Sequence, residues 1–339
     1  MPALAIAVDL GGTQIRAALV DEQGEVTRRV AVATASAAGP AAVLEQLGSI
    51  TSSVCDGVAG DRILGLGICA PGPLDTIRGN ALGVPTLAGF VDFPLRRMLE
   101  ERIGLPVWLE NDGVAAAIGE WRFGAGRGWA NVVYVTVSTG IGGGVVSDGR
   151  VLRGRQGMAG HVGHMTIFAN GIACACGNGG CWEVYGSGTA FVRRARARAE
   201  ADEATSLRRN IVYVDGAAVF AAAANGDALA ASLVAEEADI LGIGIANLLH
   251  LYSPDVVVIG GGMSVNFDVL YPGVAARVRS AAMVPFRDTR IVRAELQDNS
   301  GLIGAAAIVF DAHRSGGADR PCHLPERRAE HPAAAADAS

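Results

Sequence analysis

Two stretches of this chain repeat one pattern, and the repetition limits the possible folds more than any other feature of the sequence. The first is AIAVDLGGTQIRAALV at 5–20, and the second is NVVYVTVSTGIGGGVVSDGR at 131–150. In both, two runs of strand-forming residues flank a glycine-rich turn, which predicts a β-hairpin. The stretches differ too much to belong to a short-period repeat array. We therefore expect equivalent elements of two related domains.

Short strands and helices alternate along the rest of the chain, which predicts an α/β fold with a mixed sheet. The predicted strands include EVTRRVAVAT, DRILGLGICA, PVWLEN and DVVVIGGGM, and the predicted helices include AAVLEQLGSITSSV, PLRRMLEERIG and GVAAAIGEW. Alanine-rich helices follow at about 216–251, and the last helix, SGLIGAAAIVF, has Asn299 or Ser300 as its expected cap. Residues 313–339 are rich in proline, alanine and charge without period, which predicts a disordered tail.

The chain has no lysine, which excludes several kinds of chemistry. Its 339 residues include 28 basic ones, and all of them are arginine. A Walker-type phosphate loop and the protein-kinase fold each need a lysine on the nucleotide phosphates. Schiff-base and pyridoxal enzymes need a side-chain amine. None of these mechanisms is open to this chain.

Charge and targeting signals point to a cytoplasmic protein. The net charge of −6 argues against nucleic acid or an anionic membrane as a partner. An arginine-rich run at 193–198 is followed at once by Glu200, Asp202 and Glu203, so we interpret it as a solvated helix face. The N-terminus MPALAIAVDL lacks the pattern of a signal peptide, and the longest charge-free stretch, 128–147, contains several glycines and polar residues. Six cysteines without a signal peptide indicate a reducing compartment.

Three glycine-rich turns follow predicted strands and are candidates for holding a nucleotide. Glycine lets backbone N–H groups converge on phosphate oxygens, and a threonine hydroxyl adds an uncharged donor. Without lysine, such a cradle with Mg²⁺ is the available means of holding a nucleoside triphosphate, and Asp9 is placed to hold the water shell of the metal. The alternative is that each is only a tight turn. The candidate residues are Asp9, Gly11, Gly12 and Thr13 in the first turn, Thr139, Gly140, Gly142 and Gly143 in the second, and Gly261 in the third.

The pair Asn111-Asp112 stands where a predicted strand ends and a predicted helix begins. One interpretation makes Asp112 the N-cap of that helix. The other makes it a general base that accepts the proton of a substrate hydroxyl as the hydroxyl attacks the γ-phosphate, with Asn111 bonded to a neighbouring hydroxyl. The two roles are compatible, because capping would hold the carboxylate rigid.

One histidine and three cysteines have the spacing of a metal site. His164, Cys174, Cys176 and Cys181 supply one imidazole and three thiolates, a complete tetrahedral set for zinc. Because three sulfurs leave no position for water, we expect a structural zinc rather than a catalytic one. A metal would also orient His164 and leave its second ring nitrogen to face a ligand. The alternative is a set of free thiols beside a core histidine.

Taken together, these motifs resemble the ROK family of sugar kinases and sugar-responsive repressors, members of the actin-like ATPase (ribonuclease H-like) superfold. The resemblance is carried by DLGGTQIR at 9–16, ENDGVAAAIGE at 110–120, TVSTGIGGGVV at 136–146, and AGHVGHM running into CACGNGGCWE at 159–183, and it extends over about 5–312. It implies two domains, each with a mixed sheet. The first is an N-terminal α/β domain over 1–115, completed by the C-terminal helix 299–312, and the second is a larger α/β domain over 116–298 with the zinc loop.

The resemblance also implies roles for individual residues. Asp112 is the catalytic base, Asn111, His164 and Glu183 contact sugar hydroxyls, and Gly72 lies at the rim of the substrate site. The zinc is structural, and ATP lies between two domains that close on the sugar. Closure excludes water, which keeps a sugar kinase from hydrolysing ATP. A homodimer is implied as well.

The expected identity of the sugar depends on His161. Many glucokinases of the family have Glu at this position, whereas bacterial N-acetylmannosamine kinases have the His–x–Gly–His pattern seen here. Thr86 departs from the N-acetylmannosamine kinases, and Arg16 is closer to the glucokinase branch. If His161 faces the ligand, it suits a substrate with a carbonyl acceptor beside a hydroxyl; the alternative is that it packs beside the zinc loop.

We therefore expect an ATP-dependent kinase for the 6-hydroxyl of a hexose or N-acetylhexosamine, with N-acetylmannosamine as the first choice and glucose as the alternative. A repressor is the second hypothesis. Repressors of the family usually carry a helix-turn-helix ahead of the first phosphate loop, and here eight residues precede Asp9. A sugar-binding module without turnover is the third, and Asp112 argues against it.

Overall fold

The structure is a computed structural model that describes residues 2–315. Its strands are β1 Leu4–Leu10, β2 Gln14–Asp21, β3 Val26–Ala33, β4 Ile63–Ala70, β5 Leu74–Asp75, β6 Asn80–Ala81, β7 Val107–Asn111, β8 Val132–Val137, β9 Ile141–Ser147, β10 Arg150–Val151, β11 Val256–Gly260 and β12 Arg290–Arg293. Its α-helices are α1 Pro40–Cys55, α2 Leu95–Ile103, α3 Asp112–Phe123, α4 Glu183–Gly186, α5 Gly188–Ala201, α6 Gly216–Ala224, α7 Ala228–Tyr252, α8 Phe267–Ala281 and α9 Ser300–Arg314.

The first sheet has the strand order β3-β2-β1-β4-β7. Strand β1 is antiparallel to β2 and parallel to β4, which is parallel to β7. Because the carboxyl ends of parallel strands meet at one edge of a sheet, Asp9 lies opposite Cys69, and Cys69 lies opposite Glu110. The first glycine-rich turn and the Asn111-Asp112 pair therefore lie at the same edge.

The second sheet repeats this arrangement in the order β10-β9-β8-β11-β12. Strand β8 is antiparallel to β9 and parallel to β11, which is parallel to β12. The hairpins β1-β2 and β8-β9 thus occupy equivalent places, as the repeated sequence pattern predicts. Two mixed sheets of this topology confirm the predicted α/β class and the actin-like ATPase fold.

Helices α3 and α9 pack against each other between the sheets. They approach so closely that a Cβ atom on Gly304 would stand 1.7 Å from the carbonyl oxygen of Ala115. Apolar side chains of α9, including Leu302 and Phe310, bury themselves on the alanine-rich face of the first sheet. The division of the chain at 115 and 298 into two domains stays a prediction.

Some predicted boundaries differ in the structure. The last helix extends to Arg314, so residues 313 and 314 are helical, and the predicted tail beyond residue 315 lies outside the described residues. Asn299 stands at the N-cap position of α9, one of the two residues expected there, but its side chain makes no capping bond, and the Ser300 hydroxyl bonds to Glu120. The alanine-rich segment forms two helices, and Asp227 caps the second.

The described residues also bear on membrane insertion. Among residues 2–315, no single helix is long and apolar enough to cross a membrane. Only α6 and α7 taken together reach the necessary length and composition, and they are bent by 118° where they meet.

Candidate active site

The first glycine-rich turn packs tightly against the neighbouring chain. Gly11 donates its N–H to the carbonyl of Gln14 at 2.9 Å. A Cβ atom on Gly12 would stand 2.6 Å from the Cβ atom of Thr86, so only glycine fits there without a shift. Thr86, the residue that departs from the N-acetylmannosamine kinases, therefore borders this turn.

Asp9, at the end of β1, is bound by a residue that the sequence analysis did not place in the site. Arg16 forms an ion pair with the Asp9 carboxylate and also donates to the carbonyl of Asp298 at 2.8 Å. The thiol of Cys69 lies 3.7 Å from the other Asp9 oxygen. The register of the hairpin is the signal that identifies Arg16, because Arg16 on β2 lies directly opposite Asp9 on β1.

The second turn comprises residues 138–140, and Glu183 secures it. The Glu183 carboxylate accepts the N–H of Ile141 at 2.9 Å. A Cβ atom on Gly140 would stand 2.4 Å from the same carboxylate oxygen. The structure thus brings Glu183, predicted to contact the sugar, against the turn predicted to contact phosphate.

Two glycines predicted to bind phosphate lie in strand β9 rather than in the turn. They are Gly142 and Gly143. A Cβ atom on Gly143 would stand 2.5 Å from the carbonyl oxygen of Tyr134 on the paired strand. Packing therefore accounts for glycine at this position, and the phosphate-binding role of both residues stays a prediction.

The third turn lies beside the end of β8. Gly261 has a φ of +82°, in the left-handed region that favours glycine. A Cβ atom there would stand 2.5 Å from the carbonyl oxygen of Val137. The second and third turns therefore share one edge of the second sheet.

Asn111, and not Asp112, caps helix α3. The Asn111 side-chain oxygen accepts the N–H groups of Gly113 and Val114, while Asp112 is the first residue of the helix. The interpretation of Asp112 as the N-cap is therefore wrong. The reason is that β7 extends through Asn111, which lies opposite Ala70 and is the last extended residue before the helix.

The surroundings of the Asp112 carboxylate raise its pKa. It is open to solvent, yet the surrounding protein desolvates it enough to raise its pKa, and the negative charge of Asp9 raises the pKa further. The N–H of Gly113, 2.8 Å from Oδ1, opposes the shift. The resulting pKa is about 6. A base with this pKa is ionised at neutral pH and still able to accept a proton as a bond forms.

A buried carboxylate, that of Glu110, bonds to the residue that caps α3. Glu110 is 2% exposed, accepts the N–H of Asn111 at 3.1 Å, and pairs with Arg153 at 3.3 Å. Burial raises the pKa of Glu110, and Arg153 opposes that shift. Sequence analysis missed both residues, since Arg153 follows β10 and lies 43 residues away from Glu110.

His161 lies against the loop that contains Gly72. A Cβ atom on Gly72 would stand 3.0 Å from His161 Cε1 and 3.4 Å from Asn111 Nδ2. The structure therefore brings together these three residues, all predicted to contact the substrate. Burial lowers the pKa of His161, and nearby His164 lowers it further, so the neutral imidazole is favoured.

The four predicted metal ligands converge. The ligand atoms of His164, Cys174, Cys176 and Cys181 all lie within 4.8 Å of one another. The Sγ atoms of Cys176 and Cys181 are 3.6 Å apart, far longer than a disulfide. Zinc–sulfur bonds of about 2.3 Å in a tetrahedron place two sulfurs about 3.8 Å apart. The donor set and its spacing therefore fit a tetrahedral metal ion.

The relatives of this chain match it along nearly its whole length. The glucokinase of Streptomyces coelicolor is 34% identical over 318 residues, covering 90% of this chain and 97% of its own. The N-acetylmannosamine kinase of Citrobacter koseri is 33% identical over 305 residues, covering 89% and 97%. The crystal structure of a ROK family glucokinase from Streptomyces griseus, in complex with glucose and AMPPNP, superposes with a TM-score of 0.80 at 34% identity, covering 91% of this chain and 100% of that one.

Fold, site and relatives together define the class of this protein, an ATP-dependent carbohydrate kinase with the actin-like ATPase fold. The ROK family model matches residues 5–312. The chain belongs to the ROK family, as the sequence motifs predict.

Proposed function

We propose that this chain transfers the γ-phosphoryl group of ATP to the 6-hydroxyl of a hexose or N-acetylhexosamine, with Asp112 as the general base. Asp112 accepts the hydroxyl proton as the sugar oxygen bonds to the γ-phosphorus, while the bond from that phosphorus to the β,γ-bridging oxygen breaks and ADP leaves. The observation that carries the proposal is the position of Asp112, which is the first residue of the capped helix α3 and follows β7 at the sheet edge where β1 carries Asp9.

The nucleotide would lie along the three turns. Backbone N–H groups around Gly11, Gly12, Thr13, Thr139 and Gly140, with Gly261 from the third turn, are the proposed phosphate contacts. Asp9 would hold Mg²⁺ through water, and the metal would neutralise charge on the phosphates. Arg16 forms an ion pair with the Asp9 carboxylate and so reduces the net negative charge at the end of β1.

The four clustered ligands support a structural zinc. A bound zinc would fix His164 so that its other ring nitrogen faces a sugar hydroxyl. The side-chain oxygen of Asn111 caps α3, so its Nδ2 atom remains available to a ligand. This atom lies beside Gly72 and His161. These side chains, with one carboxylate oxygen of Glu183, form the proposed sugar contacts.

N-acetylmannosamine is the proposed preferred sugar, with glucose as the alternative. The relatives support the two substrates equally, so the proposal rests on His161. A neutral imidazole donates one hydrogen bond and accepts one, which matches an acetamido carbonyl beside a hydroxyl. Its position against Gly72 and Asn111 favours a ligand contact over packing against the metal loop.

A coupled ADP-release assay over N-acetylmannosamine, N-acetylglucosamine, glucose and mannose tests the proposal. We expect ATP-dependent turnover with at least one of these sugars and the highest kcat/KM with N-acetylmannosamine. A tenfold preference for glucose would overturn the choice of sugar and leave the kinase reaction standing. No turnover with any hexose would overturn the proposed class of substrate.

A further inference from the structure

One arginine of the run 193–198 points inward. Arg193, Arg196 and Arg198 are exposed, as predicted for a solvated helix face, but the Arg194 side chain is only 17% exposed. Its guanidinium forms an ion pair with Glu237 of α7, whose side chain is fully buried. The prediction of a wholly solvated face is therefore wrong at Arg194.

Burial of this ion pair has a cost in folding free energy. Glu237 Oε1 accepts no hydrogen bond from any residue in 2–315. Burial raises the pKa of Glu237, and the positive charge of Arg194 opposes that shift. Because desolvation largely cancels the attraction in such pairs, they add little net stability. The contacts of Arg194 therefore indicate its role better than the ion pair does.

Arginines of α5 hold the end of the short helix α4. Arg194 donates to the carbonyl of Tyr185, and Arg193 donates to the carbonyl of Val184 at 2.7 Å. Carbonyls in the last turn of a helix have no partner within it, so these two bonds tie the end of the four-residue helix α4 to α5. Helix α4 begins at Glu183.

The same short helix is also tied to α7. Trp182, just before Glu183, donates its indole N–H to the carbonyl of Ile240 at 3.1 Å, within one turn of Glu237. Its ring lies over Gly244, where a Cβ atom would stand 2.1 Å from the indole. A continuous set of contacts therefore leads from Glu237 through Arg194 to the helix that carries Glu183.

We propose that the Arg194–Glu237 pair is a positioning element that fixes Glu183 between the metal loop and the second glycine-rich turn. This inference rests on the proposed function, in which Glu183 contacts the sugar. Neither member of the pair touches the substrate. Loss of the pair lets α4 shift and weakens sugar binding, while proton transfer to Asp112 in the bound complex changes less.

Three variants test the positioning role by sugar KM, ATP KM, kcat and thermal midpoint. We expect Glu237→Gln to raise the sugar KM about tenfold with kcat and ATP KM within about threefold. The double variant Arg194→Met with Glu237→Leu replaces the charges by apolar side chains and retains core packing, so it serves if the single variant does not fold. It lacks the bond to Tyr185 and should show the same rise in sugar KM.

Glu236→Gln is the matched control. Glu236 precedes Glu237 on α7, and its carboxylate lies 3.3 Å from Arg194 Nε, but its side chain is 41% exposed, so we expect an unchanged sugar KM. A double variant with native thermal midpoint and native sugar KM would mean that the pair serves packing alone, and it would overturn the proposal.

A double-mutant cycle separates this inference from the proposed function. If the pair acts through Glu183, Glu237→Gln should change kcat/KM less than about twofold once Glu183→Gln is present. Additive effects overturn the positioning role alone. An unchanged sugar KM in Glu183→Gln overturns the proposed sugar contact and, with it, the positioning role.

Discussion

Gly113 and Gly143 are in direct contact, and a Cβ atom on Gly113 would stand 2.7 Å from the main-chain nitrogen of Gly143. Gly113 follows the proposed base Asp112 on α3, and Gly143 lies on β9 just beyond the second turn. The carbonyl oxygen of Gly143 would be equally close, at 2.7 Å. Because the nitrogen and the oxygen both belong to the backbone, no rotamer change can make room for a methyl group. Helix α3 and strand β9 therefore meet without an intervening side chain directly after Asp112.

Replacing Gly113 by alanine should therefore damage catalysis. Overpacking of this kind costs about 1–3 kcal/mol of stability, and the displaced helix should lower kcat/KM by about tenfold or more. Gly60→Ala is the control, since a Cβ atom there would meet nothing within 4 Å. Native kcat/KM in Gly113→Ala would show that the contact does not position Asp112.

Asp112→Asn should remove the base and retain the helix. Because Asn111 supplies the cap, we expect a thermal midpoint close to native and persistent sugar binding by calorimetry. Turnover should fall by about 10²-fold or more. Asp61→Asn removes a charge from an exposed turn and should leave turnover unchanged. Near-native activity of Asp112→Asn would reduce this side chain to a structural role.

The pH profile should show the titration of Asp112. A base must be ionised to accept a proton, so kcat/KM should be full above the pKa of about 6 and should fall as pH drops through it. Asp9→Asn removes a negative charge that raises this pKa, and the acid limb of its residual activity should therefore move to lower pH. An acid limb that stays in place in Asp9→Asn would contradict the proposed interaction of the two carboxylates.

The purified protein should contain about one zinc ion per chain. Cys176→Ser should lose the zinc and weaken sugar binding, because His164 would no longer be oriented. Cys55→Ser is the matched control, since Cys55 lies on α1, outside the ligand cluster. Metal analysis that finds no zinc in freshly prepared, active protein would refute the assignment.

His161→Glu should shift the preference between sugars. A glutamate there accepts hydrogen bonds and donates none, which suits paired hydroxyls better than an acetamido carbonyl. We expect the ratio of kcat/KM for N-acetylmannosamine to that for glucose to fall at least tenfold. Val91→Ala, at an exposed surface position, should leave the ratio unchanged. An unchanged ratio in His161→Glu would mean that His161 does not select the sugar.

Local patterns explain why much of the fold and site could be predicted. Alternating apolar runs and glycine turns identify both hairpins, and equivalent hairpins imply equivalent sheets. The spacing of Cys174, Cys176 and Cys181 leaves few ways to fold the loop, and the three sulfurs do converge. In these cases the information lies within about twenty residues of sequence.

Other features depend on contacts that sequence alone does not specify. Asn111 and Asp112 are equally good caps by residue type, and the length of strand β7 decides between them. Arg194 resembles its exposed neighbours in the sequence, and only the packing of α5 on α7 turns it toward Glu237, 43 residues away. Arg16 is found in the site only once the hairpin register is known.

The packing of α9 on the first sheet has a consequence for synthesis on the ribosome. The strands of the second sheet lie between residues 132 and 293, so that sheet can form before α9 has been made. The first sheet is translated earlier, yet its alanine-rich face stays uncovered until Leu302 and Phe310 emerge. The first sheet is therefore translated first but completes its packing last. A chain that stops near residue 298 would expose the alanine-rich face to chaperones or to other nascent chains.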